Sequence, residues 1–216
     1  MSGQINRGSA AGDFIYEIAR SSENKIFVEI GTWNGQGSTK CVMDALVKRQ
    51  DGCALYSLEA DKNFYDISQQ YWQERLQPFS EDIKGRLRLI YGSIISENEL
   101  PSLDELYKSR HWVGPEGGNG GYSNWYATDV RNYNNCPHVL DILPRDIDVL
   151  ILDGGEFSTD AEFSKLKSRS KIIICDDSSI YKCERIRQQL LEDPTYSVLV
   201  DTPDDRNGFC AFRRSQ

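Results

Sequence analysis

The chain has 216 residues, with 25 Lys and Arg against 33 Asp and Glu, a formal net charge of −8. So acidic a balance excludes a nucleic-acid backbone as the natural partner, because phosphate contacts need clustered Lys and Arg. A hydrophobic share of 39% is enough for one sizeable core in one α/β domain spanning residues 1–216, and no apolar run approaches the ~18–20 residues of a membrane span.

The segment Met1 to Gly12 is polar and small and carries no signal-peptide pattern. Helical spacing begins at Asp13 to Arg20, with Phe14, Ile15, Ile18 and Ala19 on one side. Lys25 to Ile30 is a short β-branched run ending at Gly31, a buried strand. A helix is predicted over Ser38 to Lys48, a second strand over Ala54 to Leu58, a helix over Asn63 to Leu76, and a third strand over Arg86 to Tyr91. A short helix at Leu100 to Tyr107 leads into a Gly-rich insert at about residues 111–137, expected to be irregular. A fourth strand, Ile147 to Leu152, ends at Asp153-Gly154-Gly155. Then come a helix from Ser158 to Leu166, a fifth strand from Lys171 to Cys175 closed by Asp176-Asp177, and a helix from Lys182 to Glu192. Tyr196 to Val200 and Phe209 to Arg213 flank a turn-rich stretch and predict a terminal hairpin.

Continuous apolar strands separated by helices predict a mostly parallel seven-stranded sheet covered on both faces, with an antiparallel hairpin at its end. The six cysteines form no C-x-x-C pair, and with two histidines they make no zinc pattern. Scattered thiols fit a reducing compartment, so the expected location is cytoplasmic. Cys175 reads as a buried small hydrophobe.

In an open parallel sheet, ligands bind beyond the carboxyl ends of the strands. The turn after the first strand reads Glu29-Ile30-Gly31-Thr32-Trp33-Asn34-Gly35-Gln36-Gly37-Ser38. A dinucleotide fingerprint needs glycine where Trp33 stands, and a P-loop needs a lysine that is missing. Glu29, just before the first glycine, suits a ligand with a positive centre. Glu59, at the end of the second strand, can accept both hydroxyls of a ribose, a device that nicotinamide enzymes share.

These residues resemble motif I of the class I S-adenosylmethionine-dependent methyltransferases, E/D-x-G-x-x-x-G. The resemblance covers roughly Phe14 to Phe212 and implies a Rossmann-like fold. It also implies that Glu29, Gly31, Thr32, Trp33, Asn34, Gly35 and Ser38 surround the methionine part of the cofactor. Glu59 would hold the ribose, Ser93 would lie beside the adenine, and Asp153 would close the pocket.

Asp153, Asp176 and Asp177 end adjacent strands, and three carboxylates together repel unless one protonates or a cation intervenes. Oxygen-only ligation favours magnesium or a related hard cation. The arrangement resembles the macrocin-type sugar O-methyltransferases, in which D-G-D-x-Y and a later acidic pair hold magnesium. Methyltransferase domains of glycan synthesis in large algal viruses are also similar. Here Gly155 replaces the second acid and Phe157 the tyrosine.

The insert holds Trp112, Tyr122, Trp125 and Tyr126 amid glycine and asparagine, a set suited to stacking on sugar rings or to packing the insert onto the domain. His138 follows and could act as a base. The expected activity is therefore O-methylation of a sugar or glycan hydroxyl, with Asp153 or Asp176 taking the proton. The other readings are an NAD-dependent oxidoreductase and a non-catalytic carbohydrate-binding module on the same scaffold. Arg206, Arg213 and Arg214 read as solvated surface.

Overall fold

The computed structural model describes residues 5–111 and 121–215. Seven strands form one sheet in the order β3-β2-β1-β4-β5-β7-β6. β1 (Ile26–Ile30), β2 (Ala54–Glu59), β3 (Leu87–Tyr91), β4 (Ile147–Leu152) and β5 (Ser170–Asp176) run parallel. β6 (Tyr196–Thr202) and β7 (Phe209–Arg214) form the antiparallel end, with β7 beside β5. The predicted mostly parallel α/β sheet with its terminal hairpin is the observed one.

Successive strand residues point to opposite faces, and both faces are dry. Phe27, Leu55, Val149, Ile151 and Ile174 pack on one face against Ile15 of α1 (Ala10–Arg20), Met43 and Leu46 of α2 (Ser38–Leu46), and Trp72 of α3 (Lys62–Leu76). Val28, Leu58, Leu150, Leu152 and Cys175 pack on the other, against Phe163 and Leu166 of α7 (Thr159–Leu166) and Ile186 and Leu190 of α8 (Glu184–Glu192). Two short helices, α4 (Glu81–Lys84) and α5 (Leu103–Lys108), lie on the connections to either side of β3.

The insert differs from its expectation. Gly121–Asn135 is a helix, α6, of 15 residues. Weak helix formers dominate it, but Tyr122, Tyr126, Asp129 and Tyr133 recur at helical spacing. Tyr133 is buried in the core and Val130 packs against it. Tertiary packing thus overrides a poor intrinsic propensity.

In-register parallel pairing brings the strand ends to one edge. Ile30 lies opposite Leu58 on one side and Leu152 on the other, Glu59 lies opposite Tyr91, and Leu152 opposite Cys175. β1 is also where the chain reverses direction of travel across the sheet, the place where such folds leave a crevice. Gly31 adopts φ +94°, and a Cβ there would fall 2.2 Å from the Asp153 carbonyl oxygen. Only glycine lets β1 and β4 close so tightly. Gly31→Ala is expected to lower the unfolding free energy by about 3 kcal/mol or more, from backbone strain plus overlap. Urea denaturation checks this; a wild-type midpoint would show that the two strand ends can part without cost.

Candidate functional site

The strand ends open into a cavity of about 600 Å³. Gly31, Thr32, Trp33 and Ser38 line it from the first turn, Glu59 and Asp61 from the end of β2, and Gly92 from the end of β3. Asp153, Gly154 and Gly155 line it after β4, and Asp176 and Asp177 after β5. α6 supplies the remaining wall with Thr128, Asp129, Asn132 and Tyr133. Among the described residues, no Lys, Arg or His lines it, whereas seven carboxylic acids do.

The first turn uses its own N–H groups. Gly31 and Thr32 both donate to the Leu58 carbonyl, each at 3.0 Å. Gly35 N–H reaches Thr32 O at 2.9 Å, and Gln36 N–H reaches Asn34 Oδ1 at 3.0 Å. Trp33, held at φ 49°, donates its N–H to Glu59 Oε2 at 2.6 Å. A pyrophosphate needs a cradle of free N–H groups, and here five are spent internally. The Trp33 indole is 37% exposed, beside Phe64 at 5.9 Å between rings. Both rings line the cavity rather than the core.

Glu59 also accepts the Asp61 N–H at 2.9 Å on Oε1. Burial pushes its carboxyl up to about 7, against the pull of those two N–H bonds. Each oxygen keeps a lone pair that can accept from a ligand hydroxyl.

Glu29 does not line the cavity. It is fully buried beneath the turn, where Thr39 Oγ1 donates to Oε2 at 2.6 Å and Ser57 Oγ donates to the same oxygen. Its Oε1 has no partner, and burial raises its carboxyl to about 7. Glu29 therefore supports the turn from beneath and is not among the residues that line the cavity. Asn34 and Gly35 likewise face away; Gly35 makes room for Trp72, whose Nε1 donates to its carbonyl at 3.0 Å. Ser93 is buried and bonded to Ile95 O at 3.0 Å, so Gly92 lines the cavity in its place.

Asp153, Asp176 and Asp177 come together as expected, with one oxygen of each within 4.8 Å of the others. Their counter-charges come from elsewhere in the chain. Lys182, 6% exposed, donates to Asp153 Oδ1 at 2.8 Å and Asp177 Oδ2 at 3.1 Å. Arg206, from the β6–β7 turn, donates to Asp176 Oδ1 at 2.5 Å. Asn207 Nδ2 reaches Asp177 Oδ1 at 3.0 Å. Asp177 lines the cavity, and the N-cap position of α8 falls six residues later, at Cys183. Arg206 is exposed, as expected of a surface residue, yet its guanidinium is paired with Asp176. Burial, then repulsion from Asp153, lifts Asp176 to about 7. Burial alone would lower Lys182, but Asp153, Asp177 and Asp176 hold its ammonium well above the ordinary value.

The α6 wall was missing from the sequence reading. Tyr133 OH lies within hydrogen-bond distance of Ser158 Oγ, at 2.6 Å, and of Glu162 Oε1, at 3.0 Å, all buried. Burial lifts Glu162 to about 7 and Asp129 to about 6. Asp129 Oδ2 has no partner, and a Cβ on Gly155 would lie 2.8 Å from it. A second acid at that position would meet Asp129.

The aromatic residues of the insert do other work. Phe157 sits at their centre, 5.9 Å from Tyr122, 5.4 Å from Tyr126 and 5.7 Å from Tyr181 between ring centroids. Trp125 stacks at 5.4 Å on Tyr122 and is 55% exposed. None of these rings lines the cavity; Tyr122 and Tyr126 pack α6 onto the domain through Phe157, while Trp125 stays exposed. Trp112 lies outside the described residues. His138 is exposed, its Nε2 3.0 Å from Ile94 O, and does not reach the cavity.

No family model and no curated protein matches this sequence. Solved structures do. An O-methyltransferase from Bacillus cereus in complex with SAH is 15% identical, with a TM-score of 0.58 over 98% of this chain and 84% of its own. The O-methyltransferase TomG from Streptomyces achromogenes, involved in tomaymycin synthesis and in complex with SAM, is 15% identical, with a TM-score of 0.56 over 95% and 79%. An rRNA methylase from Streptococcus thermophilus is 11% identical, with a TM-score of 0.54 over both full lengths. The architecture is that of the class I methyltransferases, as the resemblance implied. At such identities the likeness establishes the fold, and that fold serves acceptors of different kinds.

No helix among the described residues is long and apolar enough to cross a membrane. The buried Glu29 generates a pH test. Its folded pKa of about 7 exceeds the ordinary 4.5, so the folded chain binds this proton more tightly than the unfolded one. The resulting stability is complete below about pH 4.5 and is lost as pH rises through 7. Glu29→Gln is expected to unfold with less pH dependence, gaining roughly 2 kcal/mol on wild type between pH 5 and pH 8. Parallel denaturation curves of the two proteins across that range would refute the assignment.

Proposed function

We propose that this chain is an S-adenosylmethionine-dependent O-methyltransferase acting on a hydroxyl of a small, polyol-like acceptor such as a sugar. One observation carries the reading. A glycine turn with its N–H groups already bonded and the ribose-type acid Glu59 share a cavity that, among the described residues, is lined by seven carboxylic acids and no basic side chain. That chemistry favours a positively charged nucleoside over a pyrophosphate, which weighs against the nicotinamide alternative.

When bound, S-adenosylmethionine supplies a methyl group on a positively charged sulfur. Glu59 accepts the ribose hydroxyls through the lone pairs that Trp33 and Asp61 leave free. Trp33 and Phe64 border the cavity with apolar faces that exclude water. Asp153 and Asp177, both paired with Lys182, would place acidic side chains on the sulfonium side of the cavity. On the acceptor side, Thr128, Asp129 and Asn132 offer hydrogen-bond groups of the kind a polyol needs. The unpartnered Asp129 Oδ2 is an acceptor without a donor, which a ligand hydroxyl satisfies. Asp176 takes the departing hydroxyl proton. Most of the acceleration would come from these residues holding the acceptor hydroxyl oriented within the cavity.

The support for a sugar now rests on this polar wall, since the aromatic rings are engaged around Phe157. Calorimetry with S-adenosylhomocysteine is expected to show saturable binding that Glu59→Ala weakens by about tenfold or more, with no binding of NAD; one lost charge-assisted contact to a diol accounts for that factor. Absence of S-adenosylhomocysteine binding to the folded wild type would overturn the reading. Asp176→Asn is expected to retain that binding while slowing methyl transfer by roughly 100-fold or more, the usual loss when a general base is removed. Labelled-methyl transfer to a panel of sugars, phenols and amines then identifies the acceptor class.

A further inference from the structure

We propose that Lys182 is the resident cation of the Asp153–Asp176–Asp177 cluster, taking the place of a divalent metal, so that this carboxylate edge operates without one.

The three acids converge as a metal site would, but the space between two of them already holds the Lys182 ammonium. Nζ lies 2.8 Å from Asp153 Oδ1 and 3.1 Å from Asp177 Oδ2, with the side chain 6% exposed. A magnesium ion bound to those same oxygens would stand about 2.1 Å from each, inside the volume of the ammonium. The two cations therefore exclude one another. The third acid is engaged too, by Arg206 at 2.5 Å, and the second oxygen of Asp177 by Asn207 at 3.0 Å. Little of the donor set is left for an ion that demands octahedral geometry.

Charge counting points the same way. Three carboxylates against Lys182 and Arg206 leave one unit of negative charge when all are ionised. That residue of charge suits one sulfonium nearby. A divalent ion added to these two side chains would turn the edge positive and repel the cofactor proposed above. Ejecting Lys182 to make room would strand a buried ammonium away from its partners, which costs several kcal/mol. The chain also departs from the metal-binding pattern it resembles at Gly155, where Asp129 occupies the space of a further acid.

The first test uses the cofactor-free chain and so stands whether or not the chain transfers methyl groups. Free Mn²⁺ is followed by electron paramagnetic resonance as protein is added. Wild type is expected to bind no Mn²⁺ below millimolar concentration. Lys182→Met, which keeps the stem and removes the charge, is expected to bind Mn²⁺ at least tenfold more tightly and to gain thermal stability from it. Lys182→Arg keeps a cation and is expected to stay insensitive to Mn²⁺; it serves as the working variant should the Met form not fold. Micromolar Mn²⁺ binding by wild type, or a folded Lys182→Met with no gain in Mn²⁺ affinity, would overturn the proposal. S-adenosylhomocysteine calorimetry on the same wild-type sample, with and without EDTA, reports separately on the cofactor reading. Equal affinity in both conditions is expected, and loss of affinity in EDTA counts against Lys182 as the resident cation.

Discussion

A parallel sheet that ends five strands at one edge must manage whatever charges those ends carry, and here they carry acids. Glu59, Asp153, Asp176 and Asp177 come from strand ends, and Asp61, Asp129 and Glu162 complete the lining of one cavity. Packing so many carboxylates together is unfavourable unless each is paired, protonated or matched by a ligand. The chain uses two of these remedies itself. Lys182 and Arg206 pair with the β4 and β5 acids. Burial raises Glu162 and Asp129 toward the neutral form. The third remedy, a positively charged ligand, is the one the proposed cofactor would supply.

The same edge concentrates backbone strain. Among the described residues, the non-glycine positions with left-handed φ are Trp33, Asp177 and Arg206. Each cost is met by a bond made at that position. Trp33 aims its N–H at Glu59, Asp177 turns both oxygens toward Lys182 and Asn207, and Arg206 reaches back to Asp176. Strain of this kind persists where surrounding structure over-determines it. The antiparallel hairpin is therefore more than an edge to the sheet: its turn delivers a cation and an amide to acids that lie some thirty residues earlier in the chain.

Much of the scaffold was legible in the residues. Short β-branched runs such as Ile147 to Leu152 could only be buried strands, and their alternation with amphipathic segments fixed a parallel sheet with helices on both faces. The glycine turn, Glu59 and the three aspartates were legible as well, because parallel strands place their carboxyl ends together whatever the loops do. α6 was harder to read. Its glycine, asparagine and tyrosine content signals a loop, and the spacing of Tyr122, Tyr126, Asp129 and Tyr133 was the sole helical trace. With α6 unread, Asp129, Asn132 and the Tyr133–Ser158–Glu162 network stayed hidden, and the two uses open to the insert's aromatic rings, stacking on a ligand or packing onto the domain, could not be told apart.

By itself the sequence determined which residues stand at the carboxyl edge, since strand boundaries and parallel order follow from local apolar patterning. Tertiary structure alone decided which of them touch. Glu29 sinks beneath the turn because Thr39 and Ser57 close over it. Lys182, on the connection between β5 and α8, and Arg206, on the β6–β7 turn, enter the acidic cluster because those segments fold over the ends of β4 and β5. A charged side chain in isolation gives no sign of its partner, and pairing is set by distances between segments that only the assembled sheet brings within reach.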